Sequence, residues 1–341
     1  MKAILINKFI RNYDEIEISE VRQPCPREGE VLVKIAAVGV NFVDLLYARG
    51  KHQNNHSLVT PPFILGLEFS GTVISSPSIS PFQPGDHVFG SAQGSYATHI
   101  SVPESSLRHN PPSWDFVTAA GLAAIAPVSY GALILRAGLK EGETVLIHAA
   151  AGALGLMAVQ IAKASGCRVI GTAGSEEKLD VARRFGVDQG VNYVDDDEWW
   201  RRILETCFQD IRSDINVQND SKRRANDKSM KCLKQKGRIL ITGFAGTEGN
   251  IERIAMNKIL LRQAQIIGYR FGMTDRIDPA ETAKIWQGLK KMWEKRLLKP
   301  IVYDKEYREL ESAVTAMKDL ASRKVWGKAV LRMDGEERPR L

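Results

Sequence analysis

The stretch beginning at Thr144 constrains the fold most. A short apolar run, Thr144 to Ile147, leads through a turn of small residues, "HAAAGALG", into a segment from Gly152 to Ala164 with helical periodicity. Ala150, Gly152 and Gly155 fit the spacing A-x-G-x-x-G, with Ala153 and Leu154 between the two glycines. Small residues at those places permit a tight turn, let the backbone approach a pyrophosphate, and let helix and strand pack closely. The following helix N-terminus offers free N–H groups and a partial positive charge to an anion. Such a turn also occurs for packing alone. Its place between a strand and a helix is what points to a dinucleotide.

The same rhythm continues downstream. "CRVIGT" reads as a second strand, "SEEKLDVARRFG" as a helix begun by Ser175 and stopped by Gly186, and "GVNY" as a third strand; "RILITGF" and "QIIGYRF" are strands after short helices. Alternation of this kind predicts an α/β fold with a doubly wound parallel sheet. From Met1 to about Leu107 the pattern is instead strand and turn, as in "EVLVKIAAVGVN", "PGDHVFG" and "GSYATHISVP". A final strand, "GKAVLRM", is expected to rejoin this first part. A chain of 341 residues is long enough for two domains. The expected division is a mostly-β domain from 1–125 and 271–341 around a nucleotide-binding domain, 126–270.

The end of the second strand bears on the cofactor. A site that prefers NAD places an acid there for the ribose 2′-OH, and "GTAGSEEK" has none at the strand end. Gly174, Ser175 and Lys178 suit a 2′-phosphate instead, favouring NADPH. The competing account is that Ser175 only caps its helix and Lys178 is solvated, and Glu176 and Glu177 soften the charge argument. The net charge of +7 comes from bases interleaved with acids, which fits a phosphate-bearing cofactor and not a nucleic-acid partner. Cys25, Cys167, Cys207 and Cys232 are widely spaced, so neither a disulfide framework nor a structural zinc site is expected. The smoothest apolar stretch, Val117 to Val128, is too short to span a membrane, and the N-terminus lacks a secretory pattern, so a cytoplasmic protein is expected.

Several stretches together carry a resemblance over nearly the whole chain. "LKEGETVLIHAAAGALGLMAVQIAKASG", "GTAGSEEKL", "NFVDLLYARGKHQ", "LGLEFSGTV", "KGRILITGFAG" and "SRKVWGKAVL" resemble the zinc-free, zeta-crystallin-like quinone oxidoreductases of the medium-chain dehydrogenase/reductase superfamily. The resemblance implies a GroES-like catalytic domain made from both chain ends, a central Rossmann domain, a homodimer, and NADPH as hydride donor to quinones or α,β-unsaturated carbonyls. It places Asn41 near the nicotinamide, Tyr193 on the adenine side, Phe244 in a loop after "RILIT", and Tyr269, Arg323 and Lys328 around the cofactor. The zinc branch has a cysteine at the place of Asn41 and a histidine at that of Leu67, so no catalytic metal is expected. His52 and His56 share a loop-like stretch and are expected to face solvent.

A zinc-free reductase needs a group that donates to the developing oxyanion or enolate. Tyr47, His52, Tyr130 and Tyr269 are candidates, each with an alternative as a core or rim residue. Two departures lie at the cofactor site: Ala153 replaces a second glycine in the turn, and Val128 stands where the family commonly has threonine. The largest departure is the charged stretch Phe208 to Asp227, where the family carries its buried fourth strand. The best register sets Asp214 to Val217 on that strand and makes Gln218 to Asn226 a polar loop beside the ligand crevice, with Lys222, Arg223 and Arg224 as possible phosphate or substrate contacts. The functions expected are therefore an NADPH-dependent quinone or enone reductase, a redox-inactive isomerase or cyclase on the same scaffold, or a crystallin-like binding protein.

Overall fold

The computed structural model describes residues 1–52, 59–195, 198–205, 213–218, 225–243 and 254–333. His56, Phe244 and the three basic residues Lys222, Arg223 and Arg224 lie outside them. The chain divides into two compact units, Met1–Ala124 with Pro300–Leu341, and Ile125–Lys299.

The first unit opens with β1 (Lys2–Ile6), β2 (Ile18–Glu20), β3 (Glu30–Gly39), helix α1 (Phe42–Ala48), β4 (Phe63–Ile64), β5 (Glu68–Ser75), β6 (His87–Ser91), β7 (His99–Pro103), β8 (Leu107–His109) and a short helix α2 (Phe116–Ala119). One small sheet has the order β2-β1-β4. In the larger sheet β3 pairs antiparallel with β5 and β7, aligning Val33 with both Val73 and Ile100. Val31, Val33, Ile35 and Val38 of β3 are buried in one core with Ile4, Phe69 and Val88.

The second unit runs α3 (Ala126–Tyr130), a π-helical turn (Gly131–Arg136), β9 (Thr144–Ile147), α4 (Ala153–Ala164), β10 (Arg168–Ala173), α5 (Glu176–Arg184), β11 (Gln189–Asn192), α6 (Trp199–Glu205), β12 (Ser213–Gln218), α7 (Ala225–Cys232), β13 (Leu233–Ile241), α8 (Met256–Arg262), β14 (Gln265–Gly268), α9 (Phe271–Ile277) and α10 (Pro279–Glu294). Its strands form one parallel sheet in the order β11-β10-β9-β12-β13-β14. All four residues of β9 are buried, as a central parallel strand covered on both faces requires. β12 lies between β9 and β13, with Ile215 opposite Val145, Asn216 opposite Leu146 and Val217 opposite Ile147. The charged stretch thus does supply the fourth strand. Gln218 ends that strand and Ala225 opens α7, so the connection is shorter than the loop expected from 218 to 226.

The chain then returns to the first unit with β15 (Tyr307–Arg308), α11 (Ala313–Ala321) and β16 (Val330–Arg332). β16 pairs antiparallel with β3, setting Val330 opposite Gly39. The first domain boundary falls within one residue of expectation, but the second lies at Lys299 and not at 270. The cause is α9 and α10. Ile285 and Leu289 of α10 are buried, and Gly288 lies so close to the Tyr130 hydroxyl that a Cβ there would sit 2.0 Å from it. These helices pack on the nucleotide-binding unit and belong to it.

Candidate active site

The phosphate turn follows the fully buried strand β9. Ala149 takes a positive φ of 49°, an uncommon value for a residue with a side chain, and turns the chain toward α4. Gly155 must be glycine because a Cβ there would lie 2.3 Å from the Ala149 carbonyl oxygen and 2.9 Å from the Ala150 backbone. At Gly152 the same atom would meet, among the described residues, only the Ala149 oxygen, at 3.2 Å. Gly152 is the N-cap of α4, and among the described residues no side chain caps this helix end. First-turn N–H groups without a side-chain cap suit an external acceptor. Ser129 Oγ donates to the Leu154 carbonyl at 3.1 Å, tying the half-buried Val128 and its helix α3 to this first turn.

At the end of β10 the Tyr193 hydroxyl lies over Gly174, 3.1 Å from where a Cβ would stand. Ser175 is the N-cap of α5 and accepts from the Lys178 backbone N–H at 3.4 Å. Its side chain also holds the Glu177 carboxyl below the usual range. Ser175 therefore performs the capping role that the sequence offered as an alternative.

His148, beside the turn, carried no role in the sequence reading. The structure buries it with Nδ1 3.1 Å from Thr172 Oγ1 and Nε2 2.9 Å from Ser229 Oγ. Burial lowers its pKa to about 4, so the ring is neutral and joins β9 to β10 and α7. Trp199 meets it in a T-shaped arrangement, with ring centroids 5.5 Å apart.

The tyrosine candidates of this unit point into packing. Tyr130 and Tyr269 set their hydroxyls against the backbones of Gly288 and Gly131, where a Cβ would lie 2.0 Å away in each case. Tyr269 is buried, and its pKa is pushed up to about 12 mainly by that burial.

The first unit holds a compact polar centre around Asn41. Asn41 Oδ1 accepts from Lys328 Nζ at 2.6 Å, and its Nδ2 donates to the Gly39 carbonyl at 3.2 Å and to Glu68 Oε2 at 3.3 Å. Lys328 also forms an ion pair with Glu68 Oε2. Glu68 Oε1 accepts from the Ala124 N–H at 2.7 Å. Below them, Asp44 Oδ2 accepts from the Asn41 N–H at 2.8 Å and from the Tyr96 hydroxyl at 3.1 Å. Complete burial is the main cause that raises the Asp44 pKa to about 7, against the opposing pull of the Asn41 backbone, Lys328 and Tyr96. Tyr47 is buried on α1 and packs against the half-buried His52 ring, with centroids 4.9 Å apart and planes tilted by 53°, so His52 is not a freely solvated histidine.

Lys328 was expected at the rim of the cofactor site. Its side chain is only 2% exposed, and its charge is committed to Glu68 and Asn41. Arg323, its expected companion, is exposed at the end of α11 with a φ of 60°. Glu68, Asp44 and Tyr96 were missed as members of the centre. Only Glu68 left a visible signal, as the acid of "LGLEFSG".

Residues 27–112 match the alcohol dehydrogenase GroES-like domain and residues 153–287 the zinc-binding dehydrogenase family. Quinone oxidoreductase-like protein 2 of Rattus norvegicus is 32% identical, over 94% of this chain and 92% of that protein. The chain belongs to the quinone oxidoreductases of the medium-chain dehydrogenase/reductase superfamily. As a member of that family it is an NAD(P)H-dependent oxidoreductase with a GroES-like and a Rossmann-like domain. Among solved structures, a probable oxidoreductase from Mycobacterium abscessus matches with a TM-score of 0.84 at 29% identity, covering 97% of this chain and 99% of that one. A mycobacterial protein solved in complex with NADPH matches with a TM-score of 0.84 at 25% identity and the same coverage.

The medium-chain oxidoreductase fold implies a nicotinamide cofactor, and the small-residue turn before α4, whose end no side chain among the described residues caps, suits one. The zinc suggested by the matched dehydrogenase family finds no such fit. Glu68 is saturated by Lys328, Asn41 and the Ala124 N–H, and its neighbours Asn41 and Leu67 are not zinc ligands. Among the described residues no group of three or more His, Cys, Asp or Glu side chains converges as a metal site.

Proposed function

We propose that this quinone-oxidoreductase-family chain is an NADPH-dependent, zinc-independent reductase of quinones or of activated alkenes such as enones and enals. The observation that carries the reading is the start of α4: a helix end after a turn of small residues, capped by no side chain among the described residues, at the carboxyl end of a central parallel strand. When bound, the reduced nicotinamide supplies the hydride. The N–H groups of Ala153, Leu154 and Gly155 would hold the pyrophosphate, and Ala150 gives the close strand contact. Gly174, Ser175 and Lys178 would take the adenosine 2′-phosphate, with Tyr193 beside them. Asn41 would present an N–H to the acceptor oxygen as charge develops there. The NADPH complex of the mycobacterial neighbour and the name of the rat relative support the same reading.

A chelator-treated sample that oxidises NADPH when 9,10-phenanthrenequinone or a simple enone is added would support the proposal. No oxidation with either would refute it. Cofactor-free conversion of a polyene or quinone methide would instead favour an isomerase or cyclase, and a stable but inert protein would favour a binding role.

A cytoplasmic homodimer belongs to the same reading. Strand β14 is one edge of the parallel sheet, unpaired on its outer side among the described residues, and Leu260 and Leu261 of the preceding helix α8 are 77% and 71% exposed. A second copy would cover these apolar side chains and pair the edge. Among the described residues no helix is long and apolar enough to cross a membrane. Sedimentation of wild type and of Leu260→Lys with Ile266→Lys tests the pairing: the variant should run as a monomer, and an unchanged mass, or a monomeric wild type, would overturn it.

A further inference from the structure

A lysine that is 2% exposed beside a carboxylate that is 0% exposed is an unusual pair to keep in a protein interior. Buried pairs of this kind often cost more in desolvation than they return in attraction, so stability alone is a weak reason for one. The surroundings are shaped to it. A Cβ on Gly39 would lie 2.7 Å from Glu68 Oε2 and 2.8 Å from Lys328 Cε. A Cβ on Gly121 would press on the lysine stem at 3.4 Å.

The pair also decides which way the Asn41 carboxamide faces. An ammonium has only donors, so the atom turned toward Lys328 must be Oδ1, and the Nδ2 edge must turn to Gly39 and Glu68. Flipping the amide would set its N–H groups against the ammonium and its oxygen against the carboxylate. Asn41 is half-buried, and both N–H groups of its Nδ2 have internal acceptors, Gly39 and Glu68, through the longest bonds in the centre, so a ligand oxygen would have to take one of them over. Asp44 fixes the Asn41 main chain from the other side.

We propose that Lys328 is a positioning residue for the reduction: a resident cation that takes the electrostatic place of a metal beside Glu68 and fixes the Asn41 carboxamide, so that one N–H passes from its weak internal acceptor to the acceptor oxygen as charge develops there. The inference rests on the reductase reading for its catalytic consequence and on the geometry alone for the orientation of Asn41. It assigns Lys328 to the acceptor and not to the phosphates of the cofactor.

The test compares the full-length wild type with K328M and with E68Q/K328M. K328M leaves a buried carboxylate unpaired and should unfold at a lower temperature. The double variant removes both charges and should recover the melting temperature. It should nevertheless keep a kcat at least about 10-fold below wild type, with the Kd for NADPH changed by less than about 2-fold. The side-chain amide signals of Asn41, identified by their loss in Asn41→Ser, should shift in its nitrogen–proton spectrum. Recovery of both melting temperature and kcat would make the pair purely structural and overturn the proposal. So would unmoved Asn41 signals, or a loss of NADPH affinity as large as the loss of kcat. Should E68Q/K328M fail to fold, Lys328→Ala with added methylammonium takes its place. Methylammonium should restore the Asn41 signals, whereas tetramethylammonium, which has no N–H, should not; equal effects would sink the idea. A wild type that reduces no acceptor would refute the reductase reading, while the Asn41 spectra would still decide the positioning role.

Discussion

Lys328 and Glu68, from opposite ends of the chain, form a buried ion pair in the catalytic unit, and Gly39 closes over it. The Cβ that Gly39→Ala would add also lies 2.3 Å from the Ala120 carbonyl oxygen, which is backbone and cannot step aside. The substitution should cost about 3 kcal/mol, at the upper end for an overpacked interior. Urea unfolding would show this as a lower midpoint with an unchanged slope.

Gly152 and Gly155 should separate binding from folding. Gly155→Ala drives a methyl into the Ala149 backbone and should destabilise the chain by about 2 kcal/mol. Gly152→Ala meets, among the described residues, only one atom, at 3.2 Å, and should leave stability within about 0.5 kcal/mol of wild type. Its methyl occupies the side on which the pyrophosphate is proposed to lie, so affinity for NADPH should fall by about tenfold. Calorimetric titration and thermal unfolding of the two variants check the contrast.

Ser175 has a capping duty whatever the cofactor. Ser175→Ala should cost about 1 kcal/mol of stability through the lost helix cap. Lys178→Ala should leave stability nearly unchanged and weaken NADPH about tenfold more than NADH, if the ammonium meets the 2′-phosphate. Parallel titrations with both cofactors decide it, and an equal loss for the two would remove Lys178 from the phosphate site.

Two buried groups pull the pH dependence in opposite directions. Asp44 has its pKa raised to about 7, so the folded chain keeps a proton that the unfolded chain has already released. Its contribution to stability is greatest below the ordinary aspartate value and is lost as the pH rises toward 7. His148, lowered to about 4, contributes above the ordinary histidine value, and this is lost as the pH falls toward 4. Asp44→Asn should therefore gain stability relative to wild type on passing from about pH 5 to about pH 8. His148→Gln should flatten the acid-side loss. Unfolding midpoints across that range show both effects.

Much of the central unit was legible because its signals are local. The turn at Ala150 to Gly155, the capped helix after Ser175 and the alternation of Ile215 with Val217 identify strand and helix from neighbouring residues, and the parallel order follows. The domain boundary near 270 was not legible. An apolar face such as Ile285 with Leu289 shows that α10 packs on something, but not on which unit. The burial of Lys328 was not legible for a related reason. A lone lysine in a sequence reads as exposed, and what buries this one is a carboxylate far away in the chain, brought alongside when β16 pairs with β3. His148 was hidden in the same way, since Thr172 and Ser229 reach it from other elements.

The central claim, hydride transfer from NADPH to an electron-poor acceptor, is tested most directly by labelling. The protein is incubated with NADPH carrying deuterium at the transferable position of C4, together with an enone, and the product is analysed by mass and by proton spectrum. The account predicts one deuterium at the former β-carbon of the saturated ketone, in both the presence and absence of a chelator. Saturated product without deuterium at that carbon, or enone recovered unchanged while NADPH stays reduced, would contradict it.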